Sequence, residues 1–254
     1  MSLTASLLQE RHTMTDTTNA LTDWSPEAVV FDCDGTLMDT ERHWQDARNR
    51  VFRDFGIHPA PGFAERAKGV HYIDCGRLMA QEADKPKLAA EMTDSLLRHF
   101  MEQVAKDPVT MPGAADFVRR LRGHLPLAVA SNCPLAVVQS SLDRAGLLGH
   151  FEHVVVPSDE DPGAGSGRPV RPKPWPDVYA TAARLCGAAP ERALAVEDSM
   201  TGIESALRAG LRVLGVGPRP RPEDAARADL WVPALNASAL SAWVESWPAC
   251  GTRE

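Results

Sequence analysis

Two carboxylates, Asp32 and Asp34, stand one residue apart where an apolar run of Val29, Val30 and Phe31 stops, and Gly35, Thr36 and Leu37 follow at once. In an extended strand side chains alternate, so both acids leave the backbone on one side and Cys33 on the other. Such a pair repels itself by roughly 4 kcal/mol at ~4 Å and an effective dielectric of about 20. A shared proton or a hard divalent cation with oxygen ligands offsets that repulsion. The plainer alternative is a capped turn with exposed acids.

Three further groups bear on the choice. Ser131 and Asn132 follow a second apolar run and precede Pro134 and a helical stretch. A helix start there offers backbone N–H groups to an anion, or Ser131 serves only as a cap. Lys173 lies between Pro172 and Pro174, and prolines on both sides fix the backbone, which suits a positioned charge better than a solvated one. Ala193, Leu194, Ala195 and Val196 run straight into Glu197, Asp198 and Ser199, and Thr201 and Gly202 then open a helix. This repeats the first arrangement, and capping alone is a poor explanation for acids at two strand ends with a lysine and a Ser-Asn pair between them. Together the groups supply carboxylates for a cation, donors for an oxyanion and a candidate nucleophile.

The elements that must position them are legible as alternating patterns. Strands are predicted at residues 28–32, 125–131, 154–156, 193–197 and 212–216, with an edge strand at 230–232. Helices are predicted at residues 114–121, 134–145, 176–186 and 201–209. Strands separated by helices imply a mostly parallel, Rossmann-like α/β sheet covered on both faces, with ligands bound outside the carboxyl ends of the strands. Residues 41–111 differ in texture: Trp44, Ala47, Val51 and Phe55, then Leu78 and Met79, then Met92, Leu96, Leu97 and Phe100 recur at helical spacing, with Pro59, Pro61 and Pro86 as breaks. The expected organisation is a core of residues 25–39 and 112–254, a small all-helical insertion at 40–111 after the first strand, and a flexible tail at 1–24. Residues 161–172, rich in Gly, Pro and Ser, read as a flexible loop.

Composition narrows the function classes. The 254 residues, 44% apolar and 24% charged, suit a globular enzyme-sized chain. A net charge of -7 without any long basic run gives no reason to expect nucleic acid. No apolar stretch approaches the ~18 residues of a membrane span, and the polar start lacks the apolar core of a signal peptide. The five cysteines, Cys33, Cys75, Cys133, Cys186 and Cys250, show no metal or disulfide spacing, which fits a reducing, cytoplasmic setting.

With these motifs in order, the sequence resembles the haloacid dehalogenase superfamily of phosphohydrolases. Asp32, Cys33, Asp34, Gly35, Thr36 and Leu37 look like its first motif, Ser131 and Asn132 its second, Lys173 its third, and Glu197 and Asp198 its fourth. The inserted helices are similar to the small cap of phosphoglycolate phosphatase and β-phosphoglucomutase relatives. The resemblance implies that Asp32 attacks phosphorus and forms an aspartyl-phosphate, while Asp34 serves as general acid and then general base. It implies magnesium held by Asp32, the Asp34 carbonyl and Asp198, with Glu197 beside them. Ser131, Asn132 and Lys173 would hold the phosphoryl oxygens. His71, Tyr72 and Lys68 in the cap, and Arg171 with Arg168 near Lys173, are candidates for reading the rest of a small phosphorylated substrate.

Asp34 favours phosphate esters, because a halide leaving group needs no proton. A magnesium-dependent phosphatase is therefore expected, as a monomer or weak homodimer, with no nucleic acid or membrane partner. Two alternatives differ in class: a β-phosphoglucomutase-like sugar-phosphate mutase, and a non-catalytic phospho-ligand-binding protein. Mutase relatives carry a histidine early in the cap and an arginine soon after a Gly-Val. Here Trp44 stands where that histidine is expected, with His43 adjacent, and Gly69, Val70, His71 and Tyr72 offer no arginine.

Overall fold

A computed structural model of the protein describes Leu21 and residues 24–158 and 169–247. Six strands form one sheet: β1 (Ala28–Phe31), β2 (Leu127–Ala130), β3 (His153–Val155), β4 (Ala193–Glu197), β5 (Arg212–Val216) and β6 (Leu230–Val232). Their order is β3-β2-β1-β4-β5-β6, and every pairing is parallel. β1 lies in the middle, with Val29 in register with Leu127 of β2 on one side and Leu194 of β4 on the other. The chain winds outward from β1 to β3, then crosses back to β4 on the opposite flank. The crevice at such a reversal, beyond the carboxyl ends of the strands, is where a parallel sheet binds ligands.

The central strands are buried on both faces, so they read as continuous apolar runs. The two faces nevertheless differ. Val29, Phe31, Leu127, Val129, Leu194 and Val196 point to one face, where Phe31 meets Phe117 and Phe151 edge-on at 6.1 and 5.9 Å between centroids. That face is covered by α5 (Ala114–Leu121), α6 (Leu135–Arg144) and α10 (Ser238–Glu245). Ala28, Val30, Ala128, Ala130, Ala193 and Ala195 point to the other, under α7 (Asp177–Leu185) and α8 (Met200–Arg208). Each fully buried Val, Leu or Phe contributes ~1.5–3 kcal/mol of transfer free energy, and the small residues on the second face let α7 and α8 approach closely.

Between β1 and β2 the described chain forms α1 (Glu41–Asp54), α2 (Phe63–Ala67), α3 (Tyr72–Glu82) and α4 (Ala89–Lys106). Trp44 and Phe100 stack at 3.6 Å between centroids and 11° between planes, tying α1 to α4, and Met79, Met92 and Leu96 fill the space between α3 and α4. The two connections to the sheet run side by side: Met38 bridges Thr110, the Asp39 N–H donates to the Val109 carbonyl at 2.8 Å, and the Met111 N–H donates to the Leu37 carbonyl at 2.9 Å.

Strands β4, β5 and β6 and helix α5 fall on their expected residues, β3 and α8 are shifted by one, and β1, β2, α6 and α7 are shorter by one to three residues. Strand β2 begins at Leu127 because Pro126 has no N–H to give a ladder. Helix α10 and the short α9 (Pro222–Ala225) were not predicted. Of the expected tail, residues 1–20, 22 and 23 lie outside the described residues, but its last part is not loose. Leu21 is 3% exposed within the core, and the Trp24 carbonyl accepts a 3.0 Å bond from Trp243 Nε1. Residues 159–168 of the expected loop, Arg168 included, also lie outside the described residues. No described helix is long and apolar enough to cross a membrane.

Candidate active site

All strands being parallel, the carboxyl ends of β1, β2 and β4 open on one edge and deliver Asp32, Ser131 and Glu197 side by side. Lys173, on the approach to α7, reaches the same point. Its Nζ donates to Asp32 Oδ1 at 2.5 Å and to Glu197 Oε1 at 2.7 Å, and lies 3.4 Å from the Tyr179 hydroxyl. Burial opposes its charge, but the Asp32 and Glu197 carboxylates hold its pKa above the ordinary lysine value. The lysine is thus a fixed ammonium at the cleft floor. Asn132 secures it from behind: its Oδ1 accepts from the Lys173 N–H at 2.8 Å and its Nδ2 donates to the Lys173 carbonyl at 3.2 Å.

Asp32 is 7% exposed, and burial together with Glu197, Asp198 and Asp34 pushes its pKa well up against the opposing effect of Lys173. A buried carboxylate crowded by others calls for more positive charge than one lysine supplies. Asp198 shows the same need, its pKa pushed up to about 6 by burial and by Glu197, although Lys68 beside it acts in the opposite sense. Lys68 Nζ lies 3.1 Å from Asp198 Oδ2. Gly35 has a φ of 89°, and a Cβ there would stand 2.6 Å from Asp198 Oδ2, so only glycine permits this approach.

Carboxylate oxygens of Asp32, Glu197 and Asp198 lie within 4.8 Å of one another, an all-oxygen donor set of the kind a hard divalent cation takes. Glu197, expected beside the ligands, is fully engaged by protein donors. Its Oε1 accepts from Lys173 and from the Tyr179 hydroxyl at 3.1 Å, and its Oε2 accepts from the Ser199 N–H at 2.8 Å and the Ser199 hydroxyl at 3.0 Å. With four donors on two oxygens and no exposure, Glu197 supports Lys173 and the start of α8. A Cβ at position 202 would collide with its carboxylate, which explains Gly202 in the first turn of that helix. Asp32 and Asp198 are therefore the pair that could hold a cation.

Asp34 stands apart from this cluster. Thr40 Oγ1 donates to its Oδ1, while Cys133 Sγ at 2.9 Å and Ser131 Oγ at 3.4 Å face its Oδ2. Donors on both oxygens fix its orientation toward the cleft that Asp32 also lines. The thiol of Cys133 stays protonated, because burial and the Asp34 charge both push its pKa well up.

The other expected site residues divide. Tyr72 lines the cleft, from the start of α3. His71 does not: it is 8% exposed, packed 4.5 Å from the Tyr72 ring, and burial lowers its pKa. Arg171 does not either. Its guanidinium grips Asp177 through Nε at 2.6 Å and NH2 at 2.9 Å and lies over the exposed Trp175 ring at 4.2 Å, on the surface near α7. The expectation that it reads the substrate fails because a nearer acid holds it. Glu41, Arg48 and Cys133 line the cleft and were missed. For Arg48 the signal existed, a charge four residues from Trp44 and three from Val51 within an apolar helical stripe.

Comparison with known proteins agrees with this geometry. The haloacid dehalogenase-like hydrolase family matches residues 26–210. Protein CbbY of Cereibacter sphaeroides is 33% identical over 215 residues, covering 80% of this chain and 90% of its own. A phosphorylated carbohydrates phosphatase of Thermotoga maritima is 30% identical over 196 residues, covering 75% of this chain and 85% of its own. The crystal structure of β-phosphoglucomutase from Clostridium difficile superposes with a TM-score of 0.72 at 18% identity, covering 87% of this chain and 97% of that one. The chain belongs to the haloacid dehalogenase-like hydrolase family.

Proposed function

We propose that the protein is a magnesium-dependent phosphomonoesterase that hydrolyses a small phosphorylated metabolite, a sugar phosphate or similar ester, through an aspartyl-phosphate on Asp32. The observation that carries this reading is the asymmetry of the two strand-end acids. Asp32 is bound to the buried ammonium of Lys173, whereas Asp34 is oriented by hydroxyl and thiol donors. One acid is prepared for attack and the other for proton transfer.

In the first half-reaction an Asp32 carboxylate oxygen forms a bond to phosphorus as the ester P–O bond breaks, and Asp34 gives its proton to the departing alkoxide. In the second half Asp34 takes a proton from water, whose oxygen attacks phosphorus and releases Asp32 and inorganic phosphate. Lys173 Nζ neutralises the transferring group throughout, which is the main demand of phosphoryl transfer. Magnesium, held by Asp32 and Asp198 with the Asp34 carbonyl, would supply the further positive charge that these buried carboxylates and the phosphoryl oxygens call for. Ser131, fully buried, acts through Asp34: its Oγ lies 3.4 Å from Asp34 Oδ2 and accepts from the Cys133 N–H at 3.0 Å. The helices α1–α4 serve as a cap over the sheet edge, and its closure excludes water while the ester is cleaved.

The Thermotoga relative's name, a phosphorylated carbohydrates phosphatase, supports the ester class. A mutase reading is less well supported: Trp44, not His43, lines the cleft, and no histidine does so among the described residues. The test is phosphate release from a panel of sugar and small-acid phosphates with magnesium, and its loss with chelator. No release from any ester would favour the binding-protein alternative. Formation of glucose 6-phosphate from β-glucose 1-phosphate faster than free phosphate would establish the mutase.

A further inference from the structure

On the helical side of the cleft, Arg48 is a charge that the packing does not require. It is 2% exposed, on the face of α1 that also carries the buried Trp44, Ala47 and Val51. Arginine is almost never so buried unless paired. Two of its partners come from the same helix, Nη2 donating to Glu41 Oε1 at 2.7 Å and to Gln45 Oε1 at 3.1 Å, and the buried Cys75 thiol of α3 also lies against the guanidinium. Its buried Nε has no hydrogen-bond partner among the described residues. A buried ion pair with an orphaned N–H adds little to stability, since apolar residues of similar volume often serve as well or better, and the Trp44–Phe100 stack already joins α1 to α4.

Arg48, Glu41 and Lys68 all line the cleft, as do the apolar Ala67 and Val70. The phosphoryl end is served by Lys173 and the acids around it. Arg48 and Lys68 are two further cations that the helical segment brings to the cleft, and that segment lines it with one carboxylate, Glu41. A neutral polyol calls for matched donors and acceptors, not an excess of cations. A planar oxyanion matches the fork of a guanidinium.

We propose that Arg48, oriented by Glu41, binds a second oxyanion on the leaving group, so that the preferred substrate carries either a carboxylate or a second phosphate besides the ester that is cleaved. This rests on the phosphomonoesterase reading and narrows its substrate class. The test uses the full chain with magnesium and compares 3-phosphoglycerate, fructose 1,6-bisphosphate and glucose 6-phosphate, with p-nitrophenyl phosphate as a control for hydrolysis itself. The expected result is a kcat/KM for one of the two doubly anionic esters at least about tenfold above that for glucose 6-phosphate, and which of the two is preferred identifies the oxyanion. R48M should erase most of that ratio, chiefly through KM, and R48K should restore part of it. A wild-type preference for glucose 6-phosphate overturns the proposal without needing any variant, as does an R48M loss that is equal for all three esters. Absence of turnover even with p-nitrophenyl phosphate defeats the hydrolase reading itself, a failure distinct from hydrolysis without charge preference.

Discussion

Lys68 of the helical segment places its Nζ 3.1 Å from Asp198 Oδ2, at the carboxyl end of the sheet. The lysine comes from the loop between α2 and α3 and the acid from the end of β4, so the pair spans the cleft. Its ammonium is paired with a carboxylate that would otherwise be free to help hold a divalent cation.

Cation and lysine must therefore compete for one carboxylate. Replacing Lys68 by methionine should tighten cation binding by about three- to tenfold, because the cation no longer has to displace an ammonium. The same change should raise KM for substrate by removing a positive group from the cleft. Titration calorimetry with magnesium, and manganese as a spectroscopic substitute, measures the first effect. Unchanged or weaker cation binding in the variant would contradict the competition.

Two adjacent acids are assigned different duties. Asp198 to asparagine should weaken cation binding by at least about tenfold, since losing even a group that only orients a metal ligand costs about 10- to 100-fold in affinity. Glu197 to glutamine should change cation binding less while lowering kcat, because its amide would place a donor against Lys173, Tyr179 or Ser199. Comparable cation losses in both variants would return Glu197 to the ligand set.

The raised pKa of Asp198, about 6, fixes a pH dependence. Between the ordinary aspartate value near 3.9 and about 6, the cation-free folded chain holds a proton here that the unfolded chain does not. Stability from this group is thus greatest at low pH and falls as pH rises through that window. Cation binding requires the ionised form and runs the other way, strengthening as pH rises through about 6 with release of a proton. Magnesium should then raise the melting temperature more at about pH 7.5 than at about pH 5, and D198N should lose most of that difference. An equal magnesium effect at both pH values would contradict the assignment.

Much of this site was legible in the sequence for a simple reason. Apolar runs that end in polar residues mark the carboxyl ends of parallel strands, and a parallel sheet gathers all such ends on one edge. Asp32, Asp34, Ser131 and Asp198 followed from that rule, and Lys173 from the prolines on either side of it. The rest depended on which neighbour each side chain meets, which strand and helix periodicity do not encode. Asn132 holds Lys173 by its backbone, Glu197 is saturated by Lys173, Tyr179 and Ser199, and Arg171 is taken by Asp177 six residues on. Helix α10 was not among the expected elements, although Leu240, Trp243 and Val244 recur at helical spacing.

The central claim is that Asp32 carries the phosphoryl group between ester and water. Acid quenching during turnover, followed by peptide mass mapping, tests it directly. The mass of one added phosphoryl group should appear on the peptide containing Asp32, form and decay at rates consistent with turnover, and be absent from D32N, which should release no phosphate. Steady phosphate release without any phosphorylated Asp32, or turnover persisting in D32N, would contradict it.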